Sequence, residues 1–199
     1  MKPKRKKRNS RKGNGGKVFF LLILIGIGLV AFFHQQIYKS IKPLFERRGV
    51  FVQKKEVILF FSDREGEYLV GEKRKILKKD DVKGEAKEMI VELIKGPEGK
   101  LIPTLPPRTK LLALQINEAG LAKVNFNQTL SKDHPGGSSA EMMTVYSIVN
   151  SLSLSFPQIK RVQILIDGKP IETITGHLSL SLPVAPKPEL IRGKTKSSN

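Results

Sequence analysis

A run of sixteen residues without a polar side chain, VFFLLILIGIGLVAFF from Val18 to Phe33, constrains this chain more than any other feature. As a helix the run would span about 24 Å, slightly less than the ~30 Å of a bilayer core. Lys17 can snorkel at one end, and Tyr38 can anchor the other end in the membrane interface. The sequence therefore predicts a transmembrane signal-anchor helix over residues 18–38.

A cleaved signal peptide is the alternative interpretation of this run. The run is longer than the ~7–15 residues of a signal-peptide core, and the sequence VAFFHQQ lacks a small-x-small cleavage pattern. Residues 1–17 carry nine Lys or Arg and no acid, against six basic residues spread over residues 34–56. The positive-inside rule then places the N-terminus in the cytoplasm and the domain outside the membrane, which in a bacterium means an extracytoplasmic space.

The formal net charge of +18 is concentrated in the segments that flank the predicted domain. Residues 57–186 hold 17 basic and 15 acidic side chains, so this part is close to neutral. A run such as KPKRKKR can neutralise nucleic-acid phosphates, but here it lies against anionic lipid at the start of an apolar span. We expect the membrane and other envelope proteins or further copies of the chain as partners, and no nucleic acid.

The sequence divides into five parts. It predicts a basic cytoplasmic tail over residues 1–17, the span over 18–38, a juxtamembrane linker over 39–56, a folded domain over 57–184 and a disordered tail over 185–199. The chain contains no cysteine. Disulfides, thiolate metal sites and a lipid-modified cysteine are therefore excluded.

Within the domain, the hydrophobic pattern alternates between the periods of strands and helices. It predicts strands at VILFF, YLVGEKRKI, KLLALQIN, LAKVNFN, RVQILID and IETI, with Gly71 as a candidate bulge in the second. Apolar residues at helical spacing predict one helix from about Val82 to Ile94 and an amphipathic one from Met142 to Leu152. The order β-β-α-β-β-α-β-β predicts an α+β domain with one mixed sheet and both helices packed on one face.

The segment DHPGGSSAE, which precedes the second helix, holds residue types that are common in hydrolytic sites. Ser138 and Glu141 form the S-x-x-E pattern of a capping box, in which the serine and the glutamate each accept a hydrogen bond from the other's backbone amide. An anion site at the helix N-terminus and a serine nucleophile are the alternatives. The candidate residues for the cap or anion site are Gly136, Gly137, Ser138 and Ser139.

A catalytic interpretation of this segment would require serine, histidine and an acid to converge. Asp133 and His134 are sequence neighbours, whose side chains generally diverge, and no G-x-S-x-G elbow is present. His34 and His177 are isolated, and no two histidines have the spacing of metal ligands. The sequence also lacks a phosphate loop and a dinucleotide fingerprint. We therefore expect no catalytic residue, no metal and no cofactor.

Five segments carry a resemblance to a known family. In chain order they are VILFFSDREGEYLVGEKRKI, AKEMIVELIKGP, PPRTKLLALQINEAGLAKVNFNQTL, GGSSAEMMTVYSIVNSL and FPQIKRVQILIDGKPIETITGHLSLSLPV. The ordered series resembles the GerMN domain, the sporulation and spore germination domain, over about residues 57–184. The resemblance implies a compact α+β module, akin to the ring-building motifs of secretion-type and sporulation complexes, that acts as an assembly part.

The chain departs from that family pattern in three respects. It carries one copy of the domain, it has a predicted transmembrane span where the two-domain member of the family is lipid-anchored, and Ser179 stands where aspartate is common. We expect an anchored, extracytoplasmic interaction module of the bacterial envelope, related to sporulation or germination. The alternative is a module that binds peptidoglycan or another anionic polymer, with Arg47, Arg48, Lys54 and Lys55 in its basic stem.

Overall fold

The computed structural model describes Leu29, residues 32–37 and residues 53–193. Residues 32–37 are helical, and Phe32, Phe33 and Ile37 are more than half exposed, at 59%, 64% and 54%. No helix in these ranges is both long and apolar enough to cross a membrane. Most of the predicted span lies outside the described residues, as do the basic tail and most of the linker, so the transmembrane interpretation stays a prediction.

The domain forms its own compact unit within the described residues 53–193. Its strands are β1 Lys54–Ser62, β2 Leu69–Leu77, β3 Leu111–Ile116, β4 Leu121–Phe126, β5 Arg161–Ile166 and β6 Lys169–Pro170. Its helices are α1 Val82–Lys95, α2 Thr129–Lys132, α3 Ser138–Ser155 and a 3-10 turn at Pro188–Leu190. The α+β class and the order of the main elements are confirmed. The first strand begins three residues before the predicted strand VILFF, and the last strand is KP where the sequence predicts IETI.

The strands form two sheets where the sequence predicts one. β1 and β2 make an antiparallel hairpin, and the other four strands lie in the order β3-β4-β5-β6 with β4 and β5 parallel. The predicted bulge at Gly71 is wrong, since the β1–β2 register is continuous there and pairs Gly71 with Phe60. A Cβ on Gly71 would lie 2.8 Å from Cγ2 of Ile58, so glycine leaves room for a cross-strand side chain. The bulge lies instead in β3, between Leu111 and Ala113.

One apolar core joins both sheets to the helices. Its buried members include Val57, Leu59 and Phe61 of β1, Met89, Ile90 and Leu93 of α1, Val124 and Phe126 of β4, and Ile148, Val149 and Leu152 of α3. Burial of each such side chain contributes about 1.5–3 kcal/mol. The prediction that the apolar faces of both helices are core is confirmed.

The helix α3 is buried on most sides, which differs from the amphipathic helix predicted. Eleven of its eighteen residues are buried, among them Glu141, Thr144, Ser147, Asn150, Ser151 and Ser153. Two of these serines close the edge of β1: Ser151 Oγ accepts from the amide of Phe60 at 3.0 Å, and Ser147 Oγ donates to the carbonyl of Phe60 at 2.6 Å. Ser147 and Ser151 are tolerated in the core because they pair with the backbone of β1, whereas the buried hydroxyl of Ser153 has no hydrogen-bond partner among the described residues.

The C-terminal segment is folded as far as the structure describes it. The side chain of Asn150 binds both the amide and the carbonyl of Lys187, at 2.8 and 3.0 Å. Ile191 is buried and forms a bridge with Leu69 of β2. The prediction of a disordered tail is therefore wrong for residues 185–193, because positions far away in sequence supply their partners.

Replacing Gly120 by alanine is expected to lower the free energy of unfolding by about 2 kcal/mol. Gly120, in the predicted β3–β4 turn, has φ 79°, and a Cβ there would lie 2.5 Å from the carbonyl oxygen of Gln158. Gly168→Ala is the matched control, since Gly168 has φ 82° and open space around it. It should cost only about 1 kcal/mol. Urea denaturation followed by circular dichroism measures both, and equal losses would show that the clash with Gln158 is relieved.

Candidate functional site

A cavity of about 460 Å³ opens beside the start of α3. Its walls come from the turn after β1, from residues 102–107, here called the proline loop, and from the start of α3. The mostly apolar lining includes Ile102, Pro103, Leu105, Pro106, Ala140 and Met143. The DHPGGSSAE segment thus lies against the LIPTLPP segment, and we call their common space the proline-walled cavity.

Of the four predicted site residues, Ser139 lines this cavity and the other three lie beside it in sequence, but they do not form the predicted capping box. Gly137 is the N-cap, with φ 85° and no side-chain hydrogen bond. Ser138 is the first helical residue, which places Glu141 one position later than a capping box requires. Gly136 has φ 80°, and Ser139 lines the cavity. The capping-box interpretation is wrong, and the anion-site interpretation stays a prediction.

Glu141 is instead the anchor of a distant loop, residues 173–177. Its carboxylate, fully buried, accepts hydrogen bonds from the hydroxyl of Thr173, from the amides of Ile174 (2.7 Å) and His177 (2.9 Å), and from both the amide (3.2 Å) and hydroxyl (2.9 Å) of Thr175. Burial alone would raise the pKa of Glu141, but these donors outweigh it and lower the pKa to about 2. The carboxylate is therefore charged throughout the physiological range.

His134 forms hydrogen bonds that link the segment before α3 to α3 itself. Its Nδ1 accepts from the amide of Gly136 at 3.0 Å, and its Nε2 donates to the hydroxyl of Thr144 at 2.9 Å. That hydroxyl in turn donates to the carbonyl of Thr104 in the proline loop. Burial lowers the pKa of His134, while the charge of Glu141 acts in the opposite direction. The imidazole is neutral in this arrangement, and neither nitrogen is bonded to the neighbouring serines.

The turn after β1 supplies the charged part of the rim. Asp63 is buried and accepts from the amides of Glu67 and Tyr68, at 2.9 and 3.2 Å, and from the guanidinium of Arg192. Burial raises the pKa of Asp63, but the bonds from Arg192 and the two amides outweigh burial and lower it. Arg64, which also lines the cavity, is exposed and makes no ion pair within the described ranges.

A polar depression of about 670 Å³ adjoins the cavity and shares Asp133 with it. Its lining is Arg108, Lys110, Asn127, Gln128, Thr129, Lys132, Asp133 and Asp167. Arg108 pairs with Asp133 at 2.7 Å. Lys110, Lys132 and Asp167 form no ion pair with any residue that the structure describes. We call this surface the basic depression.

Sequence reasoning identified the rim of the cavity but missed its other walls. The sequence pattern does not place the proline loop beside the start of α3, and it does not reveal Glu141 as the anchor of residues 173–177. The available signal was the density of prolines in LIPTLPP, which restricts the backbone of that loop. Within the described ranges, no three His, Asp or Glu side chains are grouped so as to hold a metal ion.

Comparisons with known proteins concern the same region. A family model described as Germane, sporulation and spore germination, matches residues 58–172. The tandem GerMN domains of the sporulation protein GerM from Bacillus subtilis have a TM-score of 0.50 and 19% identity, covering 66% of this chain and 46% of that chain. No curated protein sequence matches the chain.

Two further solved structures are similar. The first GerMN domain of Bacillus subtilis GerM has a TM-score of 0.49 and 20% identity, covering 69% of this chain and 98% of that one. A candidate lipoprotein of Clostridium perfringens has a TM-score of 0.49 and 24% identity, covering 67% of this chain and 89% of that one. At these identities the structural likeness concerns the fold alone.

Proposed function

The chain belongs to the Germane family, sporulation and spore germination, and from that premise we propose that it is a non-enzymatic interaction module of the bacterial envelope. The observation that carries the proposal is the proline-walled cavity. Its volume of about 460 Å³ and its mainly apolar lining with a few polar groups suit a binding site.

The rigidity of the cavity walls supports binding of a partner. The hydroxyl of Thr104 is bonded to Ser147 Oγ at 2.6 Å, and its carbonyl accepts from Thr144. Both contacts tie the proline loop to α3, which is itself buried in the core. A surface that is already held in place loses little conformational entropy when a partner docks, so more of the contact energy appears as affinity.

The predicted membrane topology determines the cellular location of this module. A signal-anchor helix over residues 18–38, with the nine basic residues of the N-terminal tail in the cytoplasm, would hold the domain outside the membrane. In this arrangement the cavity faces other envelope proteins or neighbouring copies of the chain. We propose that the process is sporulation or germination, because the matching family is described by those two processes.

Site-specific photocrosslinking in the native membrane tests the proposal. A photoreactive phenylalanine analogue at Ser139, on the exposed rim of the cavity, is expected to give a discrete adduct with a partner or a second copy. The same analogue at Lys87, exposed on α1, is the control and should give none. A monomer at both positions in sporulating and in vegetative cells would contradict an interaction role for this cavity.

A further inference from the structure

We infer that the proline-walled cavity and the basic depression form one bipartite groove for an extended acidic segment of a partner protein. An apolar side chain of that segment would fill the cavity, and the carboxylates that follow would lie over Lys110 and Lys132. The inference rests on the proposed function, because it names the chemistry of the partner that the same surface would take.

Continuity between the two concave surfaces is the first step. Asp133 lines both of them, and its ion pair with Arg108 lies where they meet. Arg108 donates from Nε to Asp133 Oδ2 at 3.0 Å, and its Nη2 lies 2.7 Å from the same oxygen. This pair neutralises the junction, so a chain that crosses it meets no unbalanced charge before it reaches the lysines.

The side chains without an ion pair determine whether the groove favours an anionic or a cationic ligand. Asp63 is occupied by Arg192, and Asp133 by Arg108. Of the other charged side chains lining the two surfaces, Glu65 lies 3.5 Å from Arg192. Arg64, Lys110, Lys132 and Asp167 remain without an ion pair in the part of the chain that the structure describes. Arg192 is shared by Asp63 and Glu65, so those three side chains keep one negative charge. Together with three free cations and the free carboxylate of Asp167, they leave the groove one net positive charge, which favours an anionic partner.

The apolar cavity favours a protein segment over a simple polyanion as the ligand. A polyanionic polymer could neutralise Lys110 and Lys132, but it would offer nothing to a cavity walled by Leu105, Pro106 and Met143. A peptide with one large apolar residue followed by acids matches both halves at once. Anchoring of a single apolar side chain in a desolvated pocket is the usual source of affinity in such interfaces, and the charges set specificity.

Fluorescence polarisation with the full-length chain in nanodiscs of zwitterionic lipid tests this groove. The probe is a fluorescein-labelled peptide with one leucine followed by Glu-Asp-Glu. Two control peptides replace the leucine by serine or the three acids by lysines. We expect saturable binding of the probe, binding about tenfold weaker without the leucine, and none with the lysine peptide. Added salt should weaken binding, because the lysines are exposed.

Variants assign the binding to the two halves. The double variant Lys110→Ala/Lys132→Ala should bind the probe about tenfold more weakly, and Ser139→Trp, which fills the cavity rim, should abolish binding. The control Lys87→Ala/Lys100→Ala removes two exposed lysines that lie outside both surfaces and should bind like the wild type. Equal binding of the leucine and serine peptides, no effect of the lysine variant, or no saturable binding at all would each overturn the inference.

The two proposals fail in distinguishable ways. An adduct at Ser139 in membranes without any binding of the acidic peptide would leave the interaction module in place and refute the acidic groove. Peptide binding without an adduct would support the groove's chemistry while contradicting a stable partner in the envelope. The peptide test does not depend on the host cell, because it uses only the chain and synthetic probes.

Discussion

Alanine at position 141 is expected to lower the free energy of unfolding by about 4 kcal/mol, the largest loss that we predict for one side chain. The wild-type carboxylate satisfies three amides and two hydroxyls of residues 173–177 in a site from which solvent is excluded. Alanine would leave those donors without a partner. Each buried donor that stays unsatisfied costs about 1–3 kcal/mol, partly offset where water enters the space.

Guanidinium denaturation followed by circular dichroism measures this loss. Glu118→Ala is the matched control, since Glu118 is an exposed glutamate in the β3–β4 turn, and it should change stability by less than about 0.5 kcal/mol. A loss below about 1 kcal/mol for Glu141→Ala would mean that residues 173–177 have other anchors. The hydrogen bond from Ser131 Oγ to the carbonyl of Ile174, at 2.8 Å, is the one to remove next in that case.

The pH dependence of stability gives a second measure of the same site. The pKa of Glu141 is about 2 in the fold, against an ordinary value of 4.5. A carboxyl whose pKa is depressed by folding contributes stability that is fully present above the unfolded pKa and lost as pH falls through the folded one. This contribution, about 3 kcal/mol, should therefore disappear between pH 4.5 and 2. Glu141→Gln keeps the shape of the side chain and should show a correspondingly flatter acid limb.

Local periodicity explains why the order of elements could be predicted. The alternation of Ala122, Val124 and Phe126 in β4 and the helical spacing of Met89, Ile90 and Leu93 in α1 are fixed by nearby residues. These patterns record which face of an element is buried. They do not record what covers it, so the division into two sheets could not be predicted.

The errors of prediction share one physical cause, which is partners distant in sequence. Phe60 takes its edge partners from Ser147 and Ser151, 87 and 91 residues away. Glu141 matches the local S-x-x-E sequence pattern, yet its carboxylate accepts hydrogen bonds from donors 32 to 36 residues downstream. A capping box is worth only about 1 kcal/mol, so five donors to a fully buried carboxylate outcompete it.

The candidate site was predictable only in part. The sequence placed Gly136, Gly137 and Ser139 at a helix start with exposed amides, which is where the cavity opens. It could not bring Asp63 and the proline loop to the same place, because those contacts depend on how β1 packs against α3. Charged residues and prolines can be recognised in the sequence. Which of them lie together in space depends on the tertiary fold.

Replacing Arg74 by methionine is expected to lower the free energy of unfolding by about 3 kcal/mol. Arg74 is 7% exposed on β2, and its guanidinium binds Glu72, Glu92 (3.1 Å) and the carbonyl of Gly96 (3.1 Å). Burial would lower the pKa of Arg74, but its bonds to Glu72 and Glu92 raise it, so the group stays charged. Methionine preserves the packing of the aliphatic stem, while it removes the guanidinium from Glu72 and Glu92 and leaves the carbonyl of Gly96 at the end of α1 without its side-chain donor.

A neighbouring ion pair provides the control. Lys73 on the same strand pairs with Glu56 at 2.9 Å, but the two side chains are 74% and 53% exposed. Lys73→Met should therefore cost at most about 0.5 kcal/mol, because water screens an exposed pair. A double-mutant cycle of Arg74→Met with Glu92→Gln should give a coupling of about 1–3 kcal/mol.

The loop after α1 shows why Arg74 matters beyond its own contacts. Glu72, held by Arg74, accepts from the amides of Glu98 and Gly99 at 3.2 and 3.3 Å. That segment leads directly into the proline loop, whose Ile102 pairs with Ser62 at the end of β1. Arg74→Met should therefore increase hydrogen exchange at Glu98 and Gly99 as well as reduce global stability. Unchanged protection of those two amides would show that Glu72 holds the loop without the guanidinium.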